Sequence, residues 1–326
     1  MMSFLEKWGV SFDEAVRGLD ELTVERDGNV QYCIGLVCTL YFKNGSDAAV
    51  RQNVIQCFDL YQKQTDYKLI WGAEPLTWKP KKISGTQIAN LASWVPNLHP
   101  KDSMSLVFHG GKKRNDANHY TVRSLSEELR PGKLSYFSVT LPLTWIACHP
   151  QGAFIKLVLE FCNILHPWHG YAGLALIPFV NVSRGTSIMD EFRALVNRFH
   201  GLEIDFPSIH ARLLRDGIKG VNWLTILDQF WFDRLNGKEA LREELGEGFV
   251  FHDFDSGTAI QAGPHPAFGD VNRNERLPYY IKLSQALKSI RAEYPDSFGR
   301  NGYFNRDQVQ EWRTRFDNIK PQLRSI

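Results

Sequence analysis

The chain has 326 residues, of which 43% are hydrophobic and 23% are charged, and these fractions exclude the disordered, collagen-like and fibrous classes of protein. Its formal net charge of +2 is too small to create a field that draws nucleic acid or an anionic membrane. No stretch approaches the roughly 18 apolar residues that cross a bilayer, so the sequence predicts no membrane-spanning segment.

The N-terminal residues and the cysteines both bear on the compartment. Glu6, Asp13 and Glu14 interrupt the first residues of the chain, which therefore lack the continuous apolar stretch of a signal peptide. The five cysteines are odd in number and form no CxxC pair, a pattern more typical of reduced thiols than of a disulfide framework. We therefore expect a cytoplasmic protein.

The first third of the chain predicts a strand–helix–strand unit followed by a hairpin. From Val30 to Phe42 apolar side chains recur at every second residue, which is typical of a strand. A helix with an apolar stripe fits residues 49–62, and a second strand fits residues 67–73. Residues 105–122 then predict a hairpin with a polar tip at residues 110–118.

A second unit with the same order follows about a hundred residues later. Tyr136–Trp145 predicts a strand, and Pro142 places that stretch at an edge or a bulge because proline cannot donate a ladder hydrogen bond. An apolar helix stripe over residues 154–165 and an apolar strand over residues 170–180 complete the unit.

These units indicate an α/β (α+β) fold with mixed, largely antiparallel sheets and packed helices. The recurrence allows a pseudo-duplicated strand–helix–strand unit, although no residue identity links the two copies. We expect residues 1–326 to form a single compact domain, with candidate repeat halves near residues 30–130 and 135–300. The elements predicted beyond the second unit are a helix capped by Thr186 or Ser187 and ended by Gly201, a strand over residues 221–227, a hairpin of residues 249–254 and 258–262, a helix over residues 278–293 and a last helix over residues 307–316.

Few residues suggest catalysis. His166 and His169 are three apart, but Pro167 breaks the helix that would align them and no third ligand is fixed by spacing, so no metal site is predicted. Asp253-Phe254-Asp255 is a DxD sequence, but it enters a tight turn, where aspartate is favoured for its hydrogen bonds to the backbone. No nucleophile, phosphate-loop or zinc motif is present, so we predict no catalytic residue, metal or cofactor.

Residues 238–255 carry a marked excess of negative charge, with six acidic side chains against Lys238 and Arg242. A solvated helix face is one interpretation. The other is an acidic patch that docks on a basic partner, such as the DNA cleft of a nuclease, because complementary charge speeds association and selects the partner. The acidic residues are Glu239, Glu243, Glu244, Glu247, Asp253 and Asp255.

Two short basic stretches are weaker candidates. Lys112, Lys113 and Arg114 lie in the polar tip of the predicted hairpin, and Lys79, Lys81 and Lys82 form the other stretch. Neither combines many charges with stacking aromatic residues, as single-strand binders do. A solvated loop is therefore one interpretation, a nucleic-acid contact is another, and the first stretch is also a second candidate contact for a protein partner.

Four sequence motifs resemble, in this order, the TsiV-like immunity family of bacterial type VI secretion systems. They are Gly170-Tyr171-Ala172-Gly173-Leu174, the stretch from Ile218 to Thr225, the stretch from Gln261 to Asn272 and Leu277-Pro278-Tyr279-Tyr280. The resemblance spans residues 30–294. It implies a gene beside an antibacterial effector with a VRR-Nuc domain, a restriction-endonuclease-like nuclease. It also implies a cognate effector nuclease as partner, neutralised by occlusion of its DNA-binding or active site, without catalysis, cofactor, membrane or direct nucleic-acid binding.

The motif residues themselves have structural explanations. Glycines permit close backbone approach or unusual dihedral angles, an aromatic residue anchors a core, and a side chain such as Asp270 or Asn272 can bond the backbone of its own loop. The residues expected to shape the fold in this way are Gly170, Tyr171, Gly173, Asn222, Trp223, Gly263, Pro266, Gly269 and Asp270. The alternative function is a metal-dependent or small-molecule enzyme that uses His265, Asp270, His166 and His169.

Overall fold

A 14-residue strand, β2 (Asn29–Phe42), lies in the middle of the sheet, and its last eleven residues are buried. Hydrophobic residues on both of its faces explain this burial, because a strand covered on both sides reads as a near-continuous apolar run. The structure, a computed structural model, describes residues 18, 20, 23–73, 80–83, 98–127, 133–178, 189–293 and 306–317.

Twelve strands form one sheet within the described part of the chain, in the order β11-β12-β10-β8-β2-β7-β6-β5-β3-β4, with β1 beside β2 and β9 beside β8. All pairs are antiparallel except β8 with β9. The predicted mixed fold class with a largely antiparallel sheet is confirmed. The other strands are β1 (Thr23–Arg26), β3 (Trp71–Ala73), β4 (Pro80–Lys82), β5 (Met104–His109), β6 (Thr121–Ser126), β7 (Ser135–Leu141), β8 (His169–Pro178), β9 (Glu203–Ile204), β10 (Leu224–Asp228), β11 (Phe249–Phe254) and β12 (Gly257–Ala262).

Helices cover both faces of the sheet. Alternate residues of β2 pack into different clusters: Leu36 and Leu40 lie with the residues of α1 and α3, whereas Val37 and Tyr41 lie with Ala211 and its neighbours. No described helix has the length and apolar character needed to cross a membrane. The helices are α1 (Ala48–Gln64), α2 (Thr144–Cys148), α3 (Ala153–Leu165), α4 (Met189–Arg198), α5 (Pro207–His210), α6 (Gln229–Asp233), α7 (Lys238–Leu245), α8 (Pro278–Ala286) and α9 (Arg306–Arg313).

Several predicted boundaries are wrong, among them the start of the strand predicted over residues 221–227, which begins only at Leu224. The strand predicted over Tyr136–Trp145 ends at Leu141, because Pro142 lacks an N–H and α2 begins at Thr144. The strand predicted over residues 67–73 begins only at Trp71, since Tyr67 has a φ of 58° that no strand adopts. The helix predicted over residues 278–293 ends at Ala286 and continues as a 3₁₀ turn. The predicted caps Thr186 and Ser187 lie outside the described residues.

The two strand–helix–strand units occupy different places in the sheet. In β7–α3–β8 the two strands flank β2, whereas in β2–α1–β3 three strands, β7, β6 and β5, lie between them. Strands of both candidate repeat halves therefore share one sheet, in which β2 of the first half lies between two strands of the second half. All five cysteines are free thiols, of which four are buried and Cys148 is exposed.

Candidate functional site

The acidic stretch forms one edge of the sheet, and we call residues 238–255 the acidic edge. Helix α7 begins after Gly237, whose φ of 102° favours glycine, and it buries only Leu241 and Leu245. Those two leucines are four residues apart and therefore share one face of the helix. Strand β11 follows at the end of the sheet. The remaining residues of α7 are consequently turned toward solvent.

Two of the six acidic residues are paired inside the acidic edge. The Nζ atom of Lys238 lies 3.1 Å from Oδ1 of Asp253, and Nη1 of Arg242 lies 3.0 Å from Oε2 of Glu239. Desolvation alone would raise the pKa of Asp253, but hydrogen bonds from Thr258 and Lys238 outweigh it and leave the pKa below its usual value. Asp253 is therefore a carboxylate at neutral pH.

The other four acidic residues, Glu243, Glu244, Glu247 and Asp255, are exposed, and none has a side-chain hydrogen bond or ion pair within the described part of the chain. Glu239, Glu243 and Glu247 are spaced four residues apart and would share one face as far as a helix persists, but α7 does not reach Glu247. Gly246, with a φ of 62°, ends α7 before Glu247. The acidic edge nevertheless presents a net negative surface to solvent.

Residues 112–114, which we call the basic loop, lie away from the acidic edge. Lys112, Lys113 and Arg114 are exposed in the connection between β5 and β6. The loop is fixed on the start of β2 by Asp116, whose carboxylate accepts the N–H groups of Val30 at 3.2 Å and Lys113 at 2.8 Å. Three strands, β8, β10 and β12, separate β2 from β11, so the structure does not bring the two candidate contact surfaces together.

The second basic stretch lies at the opposite edge of the sheet. Lys81 and Lys82 belong to β4, which pairs with β3. Lys79 lies outside the described residues. The two basic stretches nevertheless lie near each other, because Trp71 pairs with Lys82 and its Nε1 donates to the carbonyl of Gly111 at 3.0 Å.

Motif residues come together around a cavity of about 880 Å³ at the end of the sheet where β12 finishes. Its walls are the loop of residues 263–270, helix α4, strand β1 and the first turn of α8. Gly263, Pro266 and Gly269 all lie in this loop. From the sequence we expect these residues to shape the fold. In the structure they also form part of the wall of a mostly apolar cavity.

Asp270 holds this loop in place. Its carboxylate accepts two hydrogen bonds from Arg198 of α4, from Nε at 3.1 Å and from Nη2 at 2.8 Å, and a third from the N–H of Asn272 at 3.0 Å. The hydrogen bond from Arg198 lowers the pKa of Asp270. The predicted bond between Asp270 and its own loop is confirmed.

Two glycines of the motifs meet specific steric demands. Gly269 has a φ of 66°, a left-handed conformation that other residues rarely adopt. Gly173 in β8 lies against Asn222, and a Cβ atom at Gly173 would overlap the amide oxygen of that side chain. The contact joins the first motif to the second.

Trp223 is buried, and its Nε1 donates to the carbonyl of Gly263 at 3.1 Å, so it also joins the second motif to the third.

A buried charged network lies beneath the second motif. The Nζ atom of Lys219 is 2.7 Å from Oε1 of Glu203 and donates to the hydroxyl of Tyr171 at 3.1 Å. That hydroxyl donates to Asp205 at 2.7 Å, and Nη2 of Arg123 lies 3.1 Å from the same carboxylate. Gly170 precedes Tyr171 in β8, where it pairs with Leu40. Burial of the ammonium group lowers the pKa of Lys219, while Glu203 and Asp205 act in the opposite direction.

This network has a structural rather than a chemical role. The side chains of Lys219 and Glu203 are 2% and 3% exposed, so no substrate reaches them. The sequence interpretation did not identify these residues as a group. A signal was present, because Glu203 and Asp205 alternate with the apolar residues of 202–206, and a charged residue inside an apolar run is rarely buried without a partner.

The histidines proposed for an enzyme are far apart in the sheet. His169 pairs with Tyr41 and Leu227 at one end of the strands, whereas His265 follows Ala262 at the other end. His169 is buried, and its Nε2 lies 2.7 Å from the carbonyl oxygen of Leu214. Among the described residues, no three His, Cys, Asp or Glu side chains form a group that could hold a metal ion. The structure thus does not assemble His166, His169, His265 and Asp270 into one site.

Comparison with known proteins identifies the relatives of this chain. The model of the family TsiV, described as type VI immunity for VRR-NUC, matches residues 53–316. A solved structure of the Pseudomonas aeruginosa T6SS protein PA0821 is similar with a TM-score of 0.78 and 25% sequence identity, over 97% of this chain and 90% of that chain. No curated protein matches the chain.

Proposed function

The chain belongs to the TsiV family of type VI immunity proteins for VRR-Nuc, and from this membership we propose that it binds a cognate VRR-Nuc effector and neutralises it by direct contact. The family favours a protein without catalytic activity. In this proposal the chain acts as a rigid binding partner in the cytoplasm, where the DNA that such a nuclease cleaves is found.

The acidic edge is the strongest structural support for this proposal. A nuclease binds the phosphates of DNA through Lys and Arg side chains, so its DNA cleft has positive potential. Glu243, Glu244, Glu247 and Asp255 offer exposed carboxylates to such a surface. Carboxylates placed where phosphates would lie both attract the nuclease and exclude DNA from it. We therefore propose occlusion of the DNA-binding or active site by the acidic edge.

The basic loop is the second candidate surface, and it is less well suited to a DNA cleft. Lys112, Lys113 and Arg114 have the same sign of charge as a surface that binds DNA, and like charges oppose association. The basic loop therefore provides the control surface for the charge-reversal test below. Direct binding of DNA by this chain is equally poorly supported, because its formal net charge of +2 is too small to create a field that draws nucleic acid.

Charge reversal at both surfaces tests the proposal. We expect the double substitution Glu243→Lys and Glu247→Lys to weaken binding of the full-length effector, in a catalytically inactive form, by tenfold or more. The matched control is Lys112→Glu with Lys113→Glu, which we expect to change the dissociation constant by less than threefold. The proposal fails if the wild-type chain does not bind the effector, and the acidic edge is the wrong surface if only the control weakens binding.

A further inference from the structure

The two ends of the sheet differ in how well they resist pairing with another strand. Within the described residues, the sheet ends at β4 on one side and at β11 on the other. Strand β4 has three residues and consists of Pro80, Lys81 and Lys82. Short length, proline and lysine are the features by which proteins prevent an edge strand from pairing with another chain.

Strand β11 has none of these features. It has six residues, FVFHDF, without proline or lysine, and its register with β12 runs from Phe249 to Phe254 without a bulge. No described strand pairs with its outer side. The valine in this strand, Val250, is 48% exposed, which adds an apolar side chain to an open main-chain edge.

The hydrogen bonds of the hairpin fix which groups of β11 face outward. The N–H of Gly263 donates to the carbonyl of Gly248 at 2.9 Å, so these residues form a hydrogen-bonded pair. In an antiparallel ladder such pairs alternate with pairs that are not bonded to each other. Val250, His252 and Phe254 therefore bond to β12.

The main-chain N–H and C=O groups of Phe249, Phe251 and Asp253 consequently point away from β12. The hydrogen bonds on the other side of β12 agree with this alternation. The N–H of Ala262, whose partner in β11 is Phe249, donates to the carbonyl of Trp223 at 2.8 Å and not to Phe249. The outward groups have the spacing that one additional antiparallel or parallel strand would pair with.

Negative charge accompanies this open edge. Asp253 lies in β11 itself, and the guanidinium of Arg242 covers the ring of Phe251 at 4.9 Å, which brings α7 with Glu243 and Glu244 beside the strand. A strand that pairs here would lie along a row of carboxylates. An incoming segment with lysine or arginine side chains is therefore favoured, and a second copy of this chain is opposed by its own acidic edge.

We propose that β11 accepts an extended segment of the effector as an additional strand, so that the sheet of this chain continues into its partner. The inference rests on the proposed function and specifies how the partner is recognised. Main-chain hydrogen bonds to Phe249, Phe251 and Asp253 supply affinity, and the acidic edge selects a segment with basic side chains. An exposed Val250 then packs against the added strand.

Two substitutions of Phe251 separate the contribution of its main-chain N–H to effector binding from the contribution of its side chain. Phe251→Pro removes an outward N–H while the ladder to β12 retains its hydrogen bonds, and Phe251→Ala removes the same ring but keeps the N–H. With the inactive full-length effector as ligand, we expect Phe251→Pro to weaken binding at least thirtyfold relative to Phe251→Ala. The thermal unfolding midpoints of the two variants serve as the check on folding.

A second variant keeps the test decisive if the proline substitution unfolds the chain. Val250→Lys places a positive charge on the exposed side of the edge, as natural edge strands do, and Val250→Thr is the neutral β-branched control. We expect Val250→Lys to weaken binding at least tenfold relative to Val250→Thr. Amide hydrogen exchange at Phe251 should be fast in the free chain and slow in the complex, whereas exchange at His252 should be slow in both.

The outcomes distinguish this inference from the function on which it rests. Failure of the wild-type chain to bind the effector overturns both. Wild-type binding that Phe251→Pro and Val250→Lys leave unchanged, with no protection at Phe251, overturns strand addition and leaves the immunity function intact. A wild-type dimer that either substitution converts to a monomer assigns the edge to a second copy of the chain and also overturns the inference.

Discussion

The ammonium group of Lys219 lies 2.7 Å from the carboxylate of Glu203 in the interior of the protein. Loss of one member of a buried ion pair leaves the other charge without compensation. We expect Lys219→Met to lower the free energy of unfolding by about 3–5 kcal/mol, measured by chemical denaturation.

Two further variants make the explanation specific. Adding Glu203→Gln to Lys219→Met should restore part of the lost stability, because the uncompensated carboxylate is then gone. Arg242→Met at the exposed pair with Glu239 should cost at most about 1 kcal/mol. Equal losses at the buried and exposed pairs would contradict the role assigned to the network.

Buried histidine makes the stability depend on pH. Burial lowers the pKa of His169 to about 4 from its usual 6.5. As the pH falls below 6.5 the unfolded chain gains a proton that the folded chain does not. The stability contributed by neutral His169 is therefore fully present above pH 6.5 and is lost at ~1.4 kcal/mol per pH unit as the pH falls from 6.5 to about 4. Below that pH both the folded and the unfolded chain bind the proton, and the loss stops.

Replacement by glutamine isolates this contribution. His169→Gln provides an N–H for the carbonyl of Leu214 but does not titrate. Between pH 7 and pH 5 the variant should lose about 2 kcal/mol less stability than the wild type. His210 is also buried with a lowered pKa, so a smaller pH dependence should remain. Identical pH profiles for variant and wild type would show that His169 is not held neutral.

Asp270 provides a test of structural against catalytic roles. Asp270→Asn removes the charge that pairs with Arg198 but keeps an oxygen for the N–H of Asn272. We expect a loss of about 1–2 kcal/mol in the free energy of unfolding, with neutralisation of the effector retained. A variant of unchanged stability that no longer protects against the effector would instead place Asp270 in the functional contact.

The elements with clear local signals were predictable from the sequence. Alternation from Val30 to Phe42 identifies β2, and the turn of residues 255–257 identifies the β11–β12 hairpin. Local patterns cannot say which strands become neighbours, because pairing depends on contacts between distant residues. The position of β2 between β7 and β8 therefore came only from the structure, as did the place of β11 at the end of the sheet.

The candidate site was predictable in composition but not in geometry. The acidic residues of 238–255 are visible as a charge excess, and their exposure follows from the helical spacing of Leu241 and Leu245. That Lys238 pairs with Asp253 required knowledge of how α7 lies beside β11. The outward direction of the Phe251 main chain is set by the bond between Gly263 and Gly248, which no sequence pattern specifies.

Association with the effector should depend on salt. Because the acidic edge is exposed, its attraction for a basic surface is screened as ionic strength rises. We expect the association rate constant to fall about tenfold or more between 50 mM and 500 mM salt. Glu243→Gln with Glu247→Gln should reduce this dependence and leave the dissociation rate nearly unchanged. A salt-independent rate constant would argue against the acidic edge as the contact.

Titration of nuclease activity tests the central claim most directly. Increasing amounts of the full-length chain are added to a fixed concentration of the active VRR-Nuc effector, and the rate of DNA cleavage is measured. Binding that occludes the nuclease predicts a linear fall in the rate to zero at a fixed molar ratio. Cleavage that continues unchanged in a tenfold excess of the chain would contradict the account.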